Sequence, residues 1–229
     1  MKKKVSMFIG YDSSQPGAYD ACRLSVQEHS RLEVHPVDLN SLTHRGYYWR
    51  DAVEGSTEFS FTRFLVPYIK GFYGYAIFCD SDFIWNCDPM ELMDHINFSD
   101  AVSVVQHNIK PEQVKPTKMN NKKQVWYPRK NWSSLMVFNC DHPFVKRLTP
   151  VTVSESPAGY LHEFRWCEKN IGSLPHTYNY LVGYYNDIPN PKAIHFTDGG
   201  PWHPGYENVQ FADRWQYFKN KVVERYGSF

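Results

Sequence analysis

Apolar residues in this chain fall into short runs broken by polar, turn-rich stretches, and the period of each run predicts its element. Val5–Gly10 reads as a buried strand that breaks at Gly10-Tyr11-Asp12-Ser13-Ser14, and Leu32–Leu39 as a second strand. Between them Ala18–His29 has helical spacing. A strand–loop–helix opening of this kind places ligands at the carboxyl edge of a sheet. Phe59–Lys70 is expected to be helical around Pro67, Met90–His95 to be a short helix, and Ala101–Gln106 a buried strand. Further on, Ser134–Asn139 reads as strand, Phe144–Leu148 as a short helical piece and Gly159–Lys169 as helix. Lys192–Phe196 reads as a late strand and Asp213–Tyr226 as an amphipathic helix. With no internal repeat and no low-complexity linker, the expectation is one α/β domain over residues 1–229.

One run stands apart. Tyr75-Ala-Ile-Phe-Cys-Asp80-Ser81-Asp82-Phe-Ile-Trp85 delivers two aspartates at i and i+2, flanked on both sides by strand-forming residues. In extended geometry such side chains leave the same face, so both carboxylates can converge on one point. Fixed carboxylates need a neutralising cation or donor, and hard oxygen ligands favour Mg²⁺ or Mn²⁺. Asp-Ser-Asp is also good turn chemistry, which leaves an exposed turn as the alternative.

Composition narrows the partners. The chain is 42% hydrophobic, enough for a sizeable core, and 17% aromatic, which suits sugar or base recognition as well as packing. A net charge of +1 argues against a broad nucleic-acid surface. Cys22, Cys79, Cys87, Cys140 and Cys167 show no CxxC pairing and read as reduced thiols. Met1-Lys-Lys-Lys is followed by too few apolar residues for a signal peptide, and no run approaches a membrane span. The expected compartment is the cytoplasm, with peripheral membrane contact left open. Residues 107–131 form the least regular stretch, and from Lys110 to Lys130 seven bases face a single acid, Glu112. Long aperiodic loops of this kind are usually functional or mobile.

A second signal is Ala193-Ile-His195-Phe-Thr-Asp198-Gly199-Gly200-Pro-Trp202. A short strand delivers a histidine, a plausible third ligand beside two carboxylates, and Gly199 and Gly200 could let the backbone approach a phosphate. Together these features resemble the retaining GT-A glycosyltransferases of the glycogenin and bacterial lipooligosaccharide galactosyltransferase class. Thr62-Arg63-Phe64 with Pro67 matches that class's arginine-bearing helix, and Phe78-Cys79-Asp80-Ser81-Asp82 stands where it has Asp-x-Asp. Trp132-Ser133-Ser134-Leu-Met-Val-Phe-Asn139 is similar to its Asn-Ser-Gly-Val-Met-Leu-Ile-Asn segment, and Leu174-Pro175 with Asn179 resembles its Leu-Pro…Asn element. His195-Phe196…Pro201-Trp202 resembles its terminal His-Phe…Lys-Pro-Trp. More narrowly, Tyr127-Pro-Arg-Lys-Asn-Trp-Ser-Ser is similar to a bacterial subgroup of glycosyltransferases.

The resemblance implies a single GT-A, Rossmann-like α/β domain with a mixed central sheet and flanking helices. It also implies a nucleotide-sugar donor, most often UDP-linked, a glycan acceptor, and Mn²⁺ or Mg²⁺ held by Asp80, Asp82 and His195. Tyr11 and Asp12 would contact base and ribose, and Arg63 the diphosphate or donor sugar. Ser81, Ser133, Gly199 and Trp202 would line the donor site. The class's lysine before Pro-Trp is absent, since Gly200 precedes Pro201, and Arg129 and Lys130 are expected to supply the missing cation. Its Asp-Gln-Asp has no clean counterpart, the nearest positions being Leu161-His162-Glu163. Trp126, Tyr127, Trp132 and Trp202 could stack on a sugar. The rival readings are a catalytically silent nucleotide- or glycan-binding protein on the same scaffold and a sugar-1-phosphate nucleotidyltransferase. The latter is weakened because the loop after the first strand carries no base before Arg23.

Overall fold

A computed structural model describes residues 4–50 and 55–227; the basic stretch at 1–3 lies outside the described residues. The chain opens with β1 (Val5–Tyr11), α1 (Pro16–His29), β2 (Val34–Asp38) and a short α2 (Leu39–His44). α1 begins on Pro16, where a missing N–H is no loss. α2 is capped by the Asp38 carboxylate, which accepts from Asn40 N. The helix expected over 59–70 is divided into a 3₁₀ turn, Thr62–Leu65, and α3 (Val66–Ile69). Pro67 explains the division, because proline fits a helix start and not its interior.

β3 (Tyr75–Cys79), β4 (Phe83–Trp85) and β5 (Val102–Val104) follow, with a 3₁₀ helix at Pro89–Asp94. The stretch expected to lack regular structure holds a small hairpin, β6 (Thr117–Lys118) against β7 (Lys122–Lys123). Its turn uses Asn120 and Asn121 at φ 57° and 54°, a conformation asparagine tolerates better than other side chains. β8 (Leu135–Asn139), α4 (Pro150–Glu155) and α5 (Ala158–His162) come next. The helix expected over 159–169 ends early because Phe164 and Glu168 both turn to φ 57°. The chain closes with β9 (Ile171–Ser173), β10 (Tyr180–Leu181), β11 (Ala193–His195) and α6 (Ala212–Tyr226).

The main sheet has the order β2-β1-β3-β8-β5-β9. All its pairings are parallel except those of β8, which runs against both β3 and β5. The carboxyl ends of β1 and β3 therefore meet the amino end of β8, and Asp80 N donates to Ser134 O at 3.0 Å across that edge. Alternate residues feed two cores. Phe8, Ala76, Phe78 and Phe138 pack with Phe64 and Trp166 on one face, while Met7, Ile9, Ile77 and Cys79 pack with Val26 and Trp85 on the other. This two-sided burial is why β3 is an unbroken apolar run. A second sheet, β10-β11-β4, crosses near the same edge and packs under α6. The architecture is mixed α/β with a central mixed sheet and flanking helices.

Candidate active site

Asp80 and Asp82 converge through a turn, where alternation along one strand was expected. The chain leaves β3 at Cys79, turns through Asp80-Ser81-Asp82 and enters β4 at Phe83. β4 then pairs antiparallel with β11, which sets Phe83 opposite His195, and Phe196 N donates to Asp82 O at 3.0 Å. Two sheets thus bring the three side chains to one point. One ligating atom from each of Asp80, Asp82 and His195 lies within 4.8 Å of the others.

The electrostatics of this cluster fit a divalent ion. Asp80 Oδ1 and Asp82 Oδ1 are buried and accept no hydrogen bond. Arg63 Nη1 lies 2.7 Å from the first and His195 Nε2 3.3 Å from the second, without hydrogen-bond alignment. Burial, and then the Asp82 charge, push the Asp80 carboxyl up to about 6 despite Arg63. Burial also raises Asp82, but the His195 imidazole outweighs it and leaves that carboxyl below its ordinary value. Two carboxylates and an imidazole are a hard, mixed O/N donor set suited to Mg²⁺ or Mn²⁺.

His195 is oriented from behind. Its Nδ1 lies 2.8 Å from Asn179 Oδ1, Asn179 Nδ2 donates to Ser134 Oγ at 2.9 Å, and Ser134 Oγ donates to Asn131 O at 2.7 Å. A main-chain carbonyl only accepts, so it assigns every donor in this relay. The Ser134 proton points at Asn131, the Asn179 amide is fixed, and His195 Nδ1 carries the proton. With Nδ1 committed as a donor, Nε2 is the ring nitrogen that faces Asp82 and can ligate an ion. Such an outer partner fixes both ring orientation and tautomer of a metal-ligating histidine. Asn179 is fully buried, and sequence reasoning placed it in a resembling motif without a role.

Asp80, Asp82 and His195 lie in the wall of a cavity of about 950 Å³. Arg63, Lys130 and Ser133 line it too, and so do Lys118, Lys122, Tyr127, His162 and Glu163. Arg63 is buried; its Nη1 donates to Ser133 O at 2.9 Å beside Asp80, so it holds the first aspartate in place. His162 Nδ1 meets Ser133 Oγ at 2.9 Å, and burial, then Arg63, pull the imidazole down to about 3. Burial likewise lowers Lys130 to about 8. Asp12 lines a smaller recess that shares Ser56, Thr57, Phe61 and Lys122 with the large cavity.

Other expected site residues are placed elsewhere. Tyr11 packs edge-on against Tyr19, and Ser81 is buried in the turn. Arg129 does not line the cavity: it donates to Glu163 O and lies over the Trp132 ring, on a backbone that is left-handed at Arg129 and Asn131. The space at Gly200 is filled by the Trp202 ring, where an added Cβ would meet a ring carbon at 1.8 Å, and that at Gly199 by Tyr206 and Met119. These glycines serve close side-chain packing, where phosphate approach was expected. Trp202 stacks on Trp215 and donates to Gln15 Oε1 at 2.9 Å, as a bracket to α6. Trp126 and Trp132 bond Ile109 O and His107 O, which leaves Tyr127 as the aromatic of that group facing the cavity.

No family model matches the chain. It is 40% identical over 223 residues to Protein CDI of Arabidopsis thaliana, covering 93% of this chain and 85% of that protein. The chain belongs to the CDI family. Among solved structures, the bifunctional glycosyltransferase WbbM superposes with a TM-score of 0.62 at 13% identity, over 100% of this chain and 52% of WbbM. GlyE of Streptococcus pneumoniae TIGR4 gives 0.61 at 12% identity, over 98% of this chain and 64% of GlyE. The galactosyltransferase LgtC, solved with donor and acceptor sugar analogues, gives 0.57 at 8% identity, over 94% and 95%. The chain thus spans about half of WbbM and under two thirds of GlyE. What this CDI-family chain shares with all three is the GT-A-like fold. Among the described residues, no helix is long and apolar enough to cross a membrane.

Proposed function

We propose that this protein is a metal-dependent glycosyltransferase, moving a hexose from a nucleotide-sugar, UDP-linked, to a hydroxyl of a glycan acceptor with retention at the anomeric carbon. The observation that supports it is the convergence of Asp80, Asp82 and His195 on one wall of a large cavity whose other walls carry Arg63, Lys118, Lys122 and Lys130. A nucleoside diphosphate needs that combination of cations and ligands for a cation.

Asp80, Asp82 and His195 would hold Mn²⁺ or Mg²⁺, which when bound offsets the charge gathering on the departing diphosphate. Arg63 keeps Asp80 aimed into the cavity, and the Asn179 relay keeps His195 Nε2 free to coordinate. The Asp12 recess beside the cavity suits base and ribose. Transfer forms a bond from the acceptor oxygen to the anomeric carbon as the bond to the phosphate oxygen breaks, and the acceptor proton passes to that oxygen. No protein nucleophile is required. What supports this is that Glu163, a carboxylate on the cavity wall, is paired to Arg165 at 2.7 Å.

Titrating UDP into the protein with and without Mn²⁺, then into Asp82→Ala, tests the reading. Binding should need the metal and be lost in the variant. Binding indifferent to both would remove the metal and leave a nucleotide- or glycan-binding module.

A further inference from the structure

The hairpin β6–β7 carries Lys118 into the wall of the cavity. Met119 N donates to Asp198 O at 2.9 Å, which pins the hairpin to the turn following His195. Lys118, one residue before that anchor, lines the cavity with Asp80, Asp82 and His195. Among the described residues its ammonium has no hydrogen-bond or ion-pair partner, although it lies within electrostatic reach of Asp82, Asp80 and Asp198. Three of the neighbouring bases are committed elsewhere. Lys122 Nζ donates to Ser56 O at 2.6 Å, Lys115 faces Asp198 at 3.6 Å and Arg129 is bonded to Glu163 O. Lys118 and Lys122 also stand directly opposite each other in the hairpin register, an arrangement of like charges that is unfavourable unless anions face it.

We propose that Lys118 is an exchangeable cation: it offsets the charge of Asp80 and Asp82 across the cavity when no divalent ion is bound, and turns to the donor's diphosphate when one is. This rests on the functional reading above. A flexible four-carbon stem with three rotatable donors suits the exchange, as a planar guanidinium locked by hydrogen bonds would not. The lysine and the divalent ion compete for the same carboxylates, and the anion relieves the competition. Metal and diphosphate should therefore bind cooperatively, through a residue that does not itself ligate the metal.

The exchange predicts opposite signs for two ligands in one variant. Calorimetry of Mn²⁺ alone should show Lys118→Met binding several-fold tighter than wild type, because a competing cation has gone. Titration of UDP, or of pyrophosphate, at saturating Mn²⁺ should show the same variant binding about tenfold more weakly, the worth of one charge-assisted contact. Lys118→Arg should recover part of the UDP affinity. Uridine, which lacks the phosphates, should bind both proteins alike. Unchanged or weaker Mn²⁺ affinity in Lys118→Met overturns the proposal, as does unchanged UDP affinity. Wild-type protein that takes up no UDP with Mn²⁺ overturns the functional reading itself, and the Mn²⁺ titration then still decides whether Lys118 shields the aspartates.

Discussion

Asn179 shows how much a single buried side chain decides here. It joins His195 to Ser134, and each of its polar ends has one partner. Asn179→Ala should lower Mn²⁺ affinity about ten- to a hundredfold, since the imidazole loses its orienting acceptor. It should also destabilise the fold by about 1–3 kcal/mol, because Ser134 and His195 are left short of a partner. Asn179→Asp keeps an acceptor for His195 Nδ1, so it should retain more metal affinity than Asn179→Ala; equal loss in both would show that orientation is not what Asn179 supplies. The sequence made Asp80, Asp82 and His195 legible because each adjoins or ends a short strand-forming run. The roles of Asn179 and Lys118 were not, for a physical reason: one acts through a hydrogen bond to a distant side chain, the other through its place in a two-residue strand of a small hairpin. Neither leaves a periodic signal.

At the scale of elements, the hairpin 117–123 and the loop 80–82 do most to shape the site. Both are too short for a hydrophobic period to reveal, whereas β1, α1, β8 and α6 were readable from their patterns to within about two residues. The mid-chain helices were misjudged where backbone chemistry intervened, as at Pro67 and at the left-handed Phe164 and Glu168. In the hairpin, Asn120→Val should strain a left-handed position by about 1–3 kcal/mol. Because few core contacts depend on that turn, the expected result is a several-fold loss of UDP affinity with a nearly unchanged global unfolding midpoint. A midpoint that falls in step with affinity would mean that the hairpin is part of the core. Asn120→Gly should bind UDP as wild type does.

Across the molecule, buried titratable groups set the range of pH over which the fold survives. His107 is 5% exposed, its Nδ1 is 2.8 Å from the Tyr185 hydroxyl, and burial pulls it down to about 3 from an ordinary 6.5. Between those values the unfolded chain binds a proton that the folded chain refuses. Stability contributed by this neutral imidazole is present above pH 6.5 and is lost as pH falls towards 3. Urea unfolding should show His107 contributing up to about 1.4 kcal/mol of loss per pH unit in that window, with a shallower slope in His107→Gln. An identical slope in the variant would assign the acid sensitivity to other groups. The relay behind the metal site has a different kind of robustness. Its direction originates in the carbonyl of Asn131, a main-chain atom at a left-handed turn, and passes outward through Ser134 and Asn179 to the imidazole. That polarity holds as long as the Ser134 and Asn179 side chains keep their places in the relay. The tautomer of the histidine is then set by the path of the backbone at the turn, a main-chain feature that lies well away from the imidazole in sequence.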